Sequence, residues 1–99
     1  MPTLWRDLPP LSTLLTLDAT ARAGSFAEAG RTLNVTHAAV MQAVRGLEAE
    51  LGLSLVQRSG RTVALTDAGE GLARALGDGF GTIAKGIEDL RQREVRRVL

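Results

Sequence analysis

Between Leu11 and Leu51 the sequence holds three short amphipathic stretches separated by gaps too small for anything but tight turns. Leu11, Leu14, Leu17 and Ala21 recur at helical spacing and predict a helix over residues 11–23. Leu8-Pro9-Pro10 is a stiff lead-in to it, and Gly24 ends it, because glycine adopts the left-handed conformation that closes a helix. Ser25-Phe26-Ala27-Glu28 is a capping box: the serine oxygen accepts from a free backbone N–H, and Glu28 is expected to reach back to the Ser25 amide. Phe26, Ala29 and Leu33 form the inner face of this second helix, which stops at Asn34. Thr36 caps a third helix with Val40, Val44, Leu47 and Leu51 as its buried stripe and Gly52 at its end. Leu15 falls off the first stripe, either as an exposed leucine or as a contact to a partner.

Two short helices joined by a tight turn, the second longer and polar outside, form the helix-turn-helix pattern. Leu53 and Leu55 then alternate with polar residues, as do Val63 and Leu65, with Arg58-Ser59-Gly60-Arg61 between them. That predicts a β-hairpin, a wing whose tip carries two arginines. Thr66 caps a fourth helix, on which Leu72, Leu76, Phe80, Ile83, Ile87 and Leu90 form a seam spaced mostly by four and three. Gly71, Gly77, Gly79, Gly81 and Gly86 lower its intrinsic helicity by up to ~1 kcal/mol each relative to alanine, so packing must hold it. Leu72 can pack on the same chain, but Ile87 lies ~22 Å further along the helix axis and should outrun so small a domain. A second copy is the expected partner there. The fold class is therefore mainly α: a winged helix-turn-helix of three helices and a hairpin, followed by a long dimerisation helix.

Ninety-nine residues suffice for one small domain with a core. Charged residues interrupt every apolar run before it can span a bilayer, and residues 1–7 lack the basic-then-apolar order of a secretory signal. The chain has no cysteine and one histidine, which leaves no set of soft metal ligands, and no nucleophile stands beside an evident base. Neither an enzyme, a metal site nor a cofactor is expected, and the composition agrees with a cytoplasmic protein. The formal net charge of +1 gives no global pull toward phosphates, so any nucleic-acid binding must rest on local placement of charge.

Taken in order, Leu8-Pro9-Pro10-Leu11, Gly24-Ser25-Phe26, Leu33 through Val40, Leu47-Glu48 with Leu51-Gly52, and Leu65-Thr66-Asp67-Ala68-Gly69 resemble the N-terminal domain of the LysR-type transcriptional regulators. Each piece alone is weak, but their order and spacing from Leu8 to Leu90 are specific. The resemblance implies a regulator that binds double-stranded promoter DNA as a homodimer, or as a tetramer at full length, with RNA polymerase a candidate partner and no membrane involved. It further implies a separate two-lobed effector domain. The expected organisation is a winged domain over 1–65, a linker and dimerisation helix over 66–92, and a short lead into that effector domain over 93–99. Three residues depart from the family pattern. Met41 stands where serine is common, Ala43 where glutamine is frequent, and Val56 where an aromatic usually precedes the wing arginine.

If Val40, Val44 and Leu47 face inward, His37, Ala38, Met41, Gln42 and Arg45 face outward, where a recognition helix meets the major groove. Gln42 can pair with adenine N6 and N7, and Ala38 or Met41 can touch a thymine methyl. Arg45 suits a phosphate or a guanine, or simply pairs with Glu48 on the surface. His37 is either a contact at the DNA edge or a surface residue without a role. In the family the arginine matching Arg58 approaches the minor groove, whose narrow A·T-rich form attracts arginine. Arg61 fits better as a solubilising loop-tip residue, though it too is a candidate. Ser25 and Thr36 are caps first, with a phosphate contact in addition. A second class of function is a protein-docking module, which the near-neutral charge favours and the arginines of the wing tip oppose.

Overall fold

The computed structural model describes residues 4–98; residues 1–3, part of the stretch read for a targeting signal, and Leu99 lie outside it. The elements run α1 (Leu4–Asp7), α2 (Leu11–Ala23), α3 (Phe26–Leu33), α4 (His37–Leu51), β1 (Val56–Ser59), β2 (Thr62–Leu65) and α5 (Asp67–Val98). Helices α2 to α4 are the three expected from the sequence, and α1 adds a single turn before the prolines.

The termini form where the local chemistry places them. Gly24, Asn34 and Gly52 close α2, α3 and α4 in the left-handed conformation. Ser25 Oγ accepts from the Glu28 N–H and Thr36 Oγ1 from the Ala39 N–H, each at 3.0 Å. The reciprocal half of the capping box is absent, because the exposed Glu28 carboxylate pairs with Arg31 instead.

Two apolar clusters hold the domain. Ala19, Phe26, Ala29, Val40 and Val44 fill the space among α2, α3 and α4. Leu14, Leu17, Leu47 and Leu55 form the second, on which Leu72, Leu76 and Phe80 of α5 lie half-buried. Thr20 is fully buried, and its hydroxyl donates to the Thr16 carbonyl at 2.8 Å, so it enters the interior satisfied. Leu11 and Leu51, expected in the inward stripes, are exposed. They sit in the first turn of α2 and the last of α4, beyond the reach of neighbouring helices.

The wing is a two-stranded antiparallel hairpin pairing Val56 with Leu65 and Ser59 with Thr62. Its turn is Gly60-Arg61, with positive φ at Gly60 alone, as a tight hairpin with glycine first requires. The first strand starts later than the alternation of Leu53 and Leu55 predicts. Leu53 follows the cap of α4, its N–H donating back to the Glu48 carbonyl at 3.2 Å, and its side chain is exposed. From β2 the Val63 N–H donates to the Gly24 carbonyl at 2.9 Å, tying the wing to the turn between α2 and α3.

Helix α5 is one continuous helix to Val98 and does not end near residue 92, so residues 93–98 extend the same rod. Beyond Phe80 it carries Ile83, Ile87, Leu90, Val95 and Val98 exposed. The sequence seam is thus divided: Leu72, Leu76 and Phe80 pack on their own domain, and only Ile83, Ile87 and Leu90 are left for another molecule. Among the described residues no helix is long and apolar enough to cross a membrane.

The start of α5 is set by a close approach. Gly69 is buried, and a Cβ built on it would stand 1.9 Å from the Leu55 carbonyl oxygen. Gly71, one residue pair further, faces open space. Gly69→Ala should therefore destabilise the fold by about 3 kcal/mol through overpacking against backbone. Gly71→Ala should stabilise it by up to about 1 kcal/mol through helix propensity. Urea midpoints of the two variants check both signs, and equal effects would contradict the packing described.

Candidate nucleic-acid interface

The tight turn between α3 and α4 sets the pose of the longer helix, and the wing stands beside it. His37, Ala38, Gln42 and Arg45 are exposed on the outer side of α4, as the inward placement of Val40, Val44 and Leu47 requires. Met41 does not join them. It is half-buried, packs on the cluster of Val40 and Val44, and its sulfur lies 3.9 Å from Arg58 Nη1. The thioether is apolar enough to pack partly on the core, so Met41 is less exposed than the outward placement predicts and also meets the wing.

Arg58 lies on β1, and its Nε donates weakly to the Gly60 carbonyl at 3.4 Å. Arg61 stands in the hairpin turn. Together with Ser25, Arg31 and His37 these arginines line an open groove of about 410 Å³ between the start of α3, the start of α4 and the wing. The His37 ring is 6.0 Å from that of buried Phe26, tilted by 33°, and both residues line the groove. Thr36 lies just outside the groove as the cap of α4. Arg31 was missed by sequence reasoning. Its one sequence signal is its place among the arginines gathered in the middle of the chain.

A second cleft lies between α4 and the wing, lined by Arg45, Glu48, Ser54 and Arg58 among others. The surface pair of Arg45 with Glu48 does not form. Glu48 Oε2 instead accepts from the backbone N–H of Leu55 at 2.8 Å and of Val56 at 3.3 Å. Arg45 has no ion pair among the described residues, and neither do Arg58 and Arg61. A chain with almost no net charge thus gathers unpaired cations on one side.

Comparison with known proteins agrees with this geometry. The sequence profile of bacterial regulatory helix-turn-helix proteins of the lysR family matches residues 11–70. The chain belongs to the LysR family. Among relatives, it is 51% identical over 87 residues to the AhcY transcriptional activator HvrB of Rhodobacter capsulatus, covering 88% of this chain and 30% of that protein. Against the HTH-type transcriptional regulator TrpI of Pseudomonas aeruginosa it is 44% identical, with the same coverage. The chain therefore spans about a third of the length of these relatives. Its fold superposes on a crystal structure of a CbnR_DBD–DNA complex with a TM-score of 0.73 and 27% identity, over 85% of this chain and 97% of that one. It superposes on full-length LysG of Corynebacterium glutamicum with a TM-score of 0.75 and 33% identity, over 83% and 28% of the two chains.

The two caps at the edge of this LysR-type interface have a measurable structural share. Ser25→Ala and Thr36→Ala should each lower unfolding stability by about 1 kcal/mol in the absence of any ligand. Ser25→Thr and Thr36→Ser should restore most of it. Denaturant titrations of the four variants test this, and alanine variants as stable as the parent would show that the caps do not hold the helices.

Proposed function

We propose that this chain binds double-stranded promoter DNA sequence-specifically as a homodimer and forms the promoter-recognition part of a LysR-type regulator. One observation carries the reading: Arg58 of the wing lines both the groove that His37 borders at the start of α4 and the cleft that Arg45 borders further along it, on a chain whose net charge is only +1. Charge placed so locally suits a phosphate backbone and is not needed for folding.

Helix α4 enters the major groove with its N-terminal turns, where Gln42 pairs with an adenine and Ala38 meets a thymine methyl. Met41, turned inward, serves the wing more than a base. Arg45 takes a phosphate beside the cleft, and Arg58 reaches into the adjoining minor groove. Ser25, Thr36, His37, Arg31 and Arg61 border the path of the backbone and make phosphate contacts. Ile83, Ile87 and Leu90 close the dimer, with Leu72, Leu76 and Phe80 supporting the helix from behind. The two α4 helices then address successive major grooves on one face of the duplex.

In this reading the protein is not an enzyme, needs no cofactor and acts in the cytoplasm. Sensing of a small molecule, further assembly to tetramers and contact with RNA polymerase belong to the rest of a longer regulator.

Salt separates this reading from protein docking. Affinity for a random-sequence duplex should fall linearly on logarithmic axes as salt rises, and Arg45→Ala should reduce the slope by roughly one. A salt-independent interaction would contradict the proposal. Ile83→Asp should give monomers by sedimentation and weaken DNA binding sharply; an unchanged sedimentation mass would rule out the dimer surface.

A further inference from the structure

The wing is held at its base by contacts from both sides. Leu55 is fully buried, its carbonyl accepts from the Thr66 N–H at 3.0 Å, and the Ser54 carbonyl accepts from the Thr66 hydroxyl at 2.6 Å. These bonds secure the strand to the start of α5. On the opposite edge, two consecutive N–H groups, of Leu55 and Val56, converge on one oxygen of Glu48. Among the described residues, no other side chain of α4 hydrogen-bonds the wing backbone. Val56 is two residues before Arg58, so the bond acts where β1 begins.

We propose that Glu48 is a positioning residue: its carboxylate locks the wing to α4 and thereby sets where Arg58 stands relative to the recognition face. The inference rests on the DNA-binding reading above. Two consequences follow from the same bond. The carboxylate is engaged by backbone donors and leaves Arg45, one turn earlier on α4, without an ion pair. And the wing, a two-stranded hairpin too small to be stable alone, is kept at one angle to the helix. Without the carboxylate the hairpin remains attached through Thr66, the Val63–Gly24 bond and the packing of Val56 and Val63 on the core, but its backbone loses both hydrogen bonds to α4. A wing that occupies its competent position only part of the time lowers apparent affinity by that fraction.

The test uses the whole chain in two arms. In the first, ¹⁵N relaxation of Glu48→Ala should show greater mobility at Gln57 to Arg61, with the amides of α2 to α4 unchanged. In the second, a duplex enriched from a random pool by the parent chain is titrated with the parent, Glu48→Ala, Arg58→Ala and the double variant. Glu48→Ala should weaken binding about tenfold, as expected if the wing is docked about one-tenth of the time. Glu48→Gln, whose amide oxygen can accept the same two N–H groups, should recover to within about threefold of the parent. Because Glu48 acts through Arg58, the double variant should bind about as Arg58→Ala alone. Rigid wing amides in Glu48→Ala, or losses that multiply in the double variant, would overturn the proposal. If Glu48→Ala fails to fold, Glu48→Asp, one methylene shorter, carries the same comparison. A parent chain that enriches no duplex would defeat the DNA reading and the role of Glu48 in it, while the relaxation arm still decides whether the bond holds the wing.

Discussion

Leu55 is the residue on which the arrangement of this molecule depends. Its side chain is fully buried in the cluster formed by Leu14, Leu17 and Leu47, its N–H is taken by Glu48 and its carbonyl by Thr66. Three elements meet at that one residue: the end of α4, the base of the wing and the start of α5. The buried glycine at position 69 exists because α5 must come against the Leu55 backbone with no side chain between. Burying a residue requires that its backbone N–H and C=O both be satisfied, and here the two partners come from different parts of the chain. The relative placement of helix, wing and rod therefore follows from satisfying one stretch of backbone.

The electrostatics follow from the same geometry. A near-neutral protein has little long-range field, so its charged surface must be built by position. Occupying Glu48 with backbone donors removes the nearest anion from competition for Arg45, while Arg31 is partly neutralised by Glu28. What remains open on the α4 and wing side is Arg45, Arg58 and Arg61. In the proposed function those are the groups a phosphate backbone would meet, and the Arg58 guanidinium donating to the Met41 sulfur joins the helix and the wing in one surface.

Much of the fold was legible from local chemistry. Ser25 and Thr36 cap through atoms three residues away, Gly24, Asn34 and Gly52 stop helices by their own backbone preference, and the winged order follows from those boundaries. The misreadings came where the outcome depends on groups distant in sequence. Periodicity marks Leu11 and Leu51 as inward but carries no information about where the neighbouring helices end. The same limit hid the division of the α5 seam, since Leu76 and Phe80 meet the cluster of Leu14, Leu17, Leu47 and Leu55 only in three dimensions. Glu48 looked like a surface partner for Arg45 because i,i+3 spacing is visible in sequence, whereas its bonds to Leu55 and Val56 require the chain to turn back at Gly52. Met41 was placed outward by the helical wheel, but its flexible, apolar side chain had a core within reach. The end of α5 was read too early because no strong stop signal marks residue 92, and none is needed where the helix simply continues.

The central claim is that α4 and the wing act together as a sequence-reading surface on DNA, doubled by the exposed half of α5. Selection of bound sequences from random duplex DNA at low salt, with this chain, tests it most directly. The account predicts an interrupted palindrome whose half-sites lie one helical turn or a multiple of it apart, with A·T-rich steps where the wings fall. Recovery of no preferred sequence from a chain shown to be folded and dimeric would contradict it.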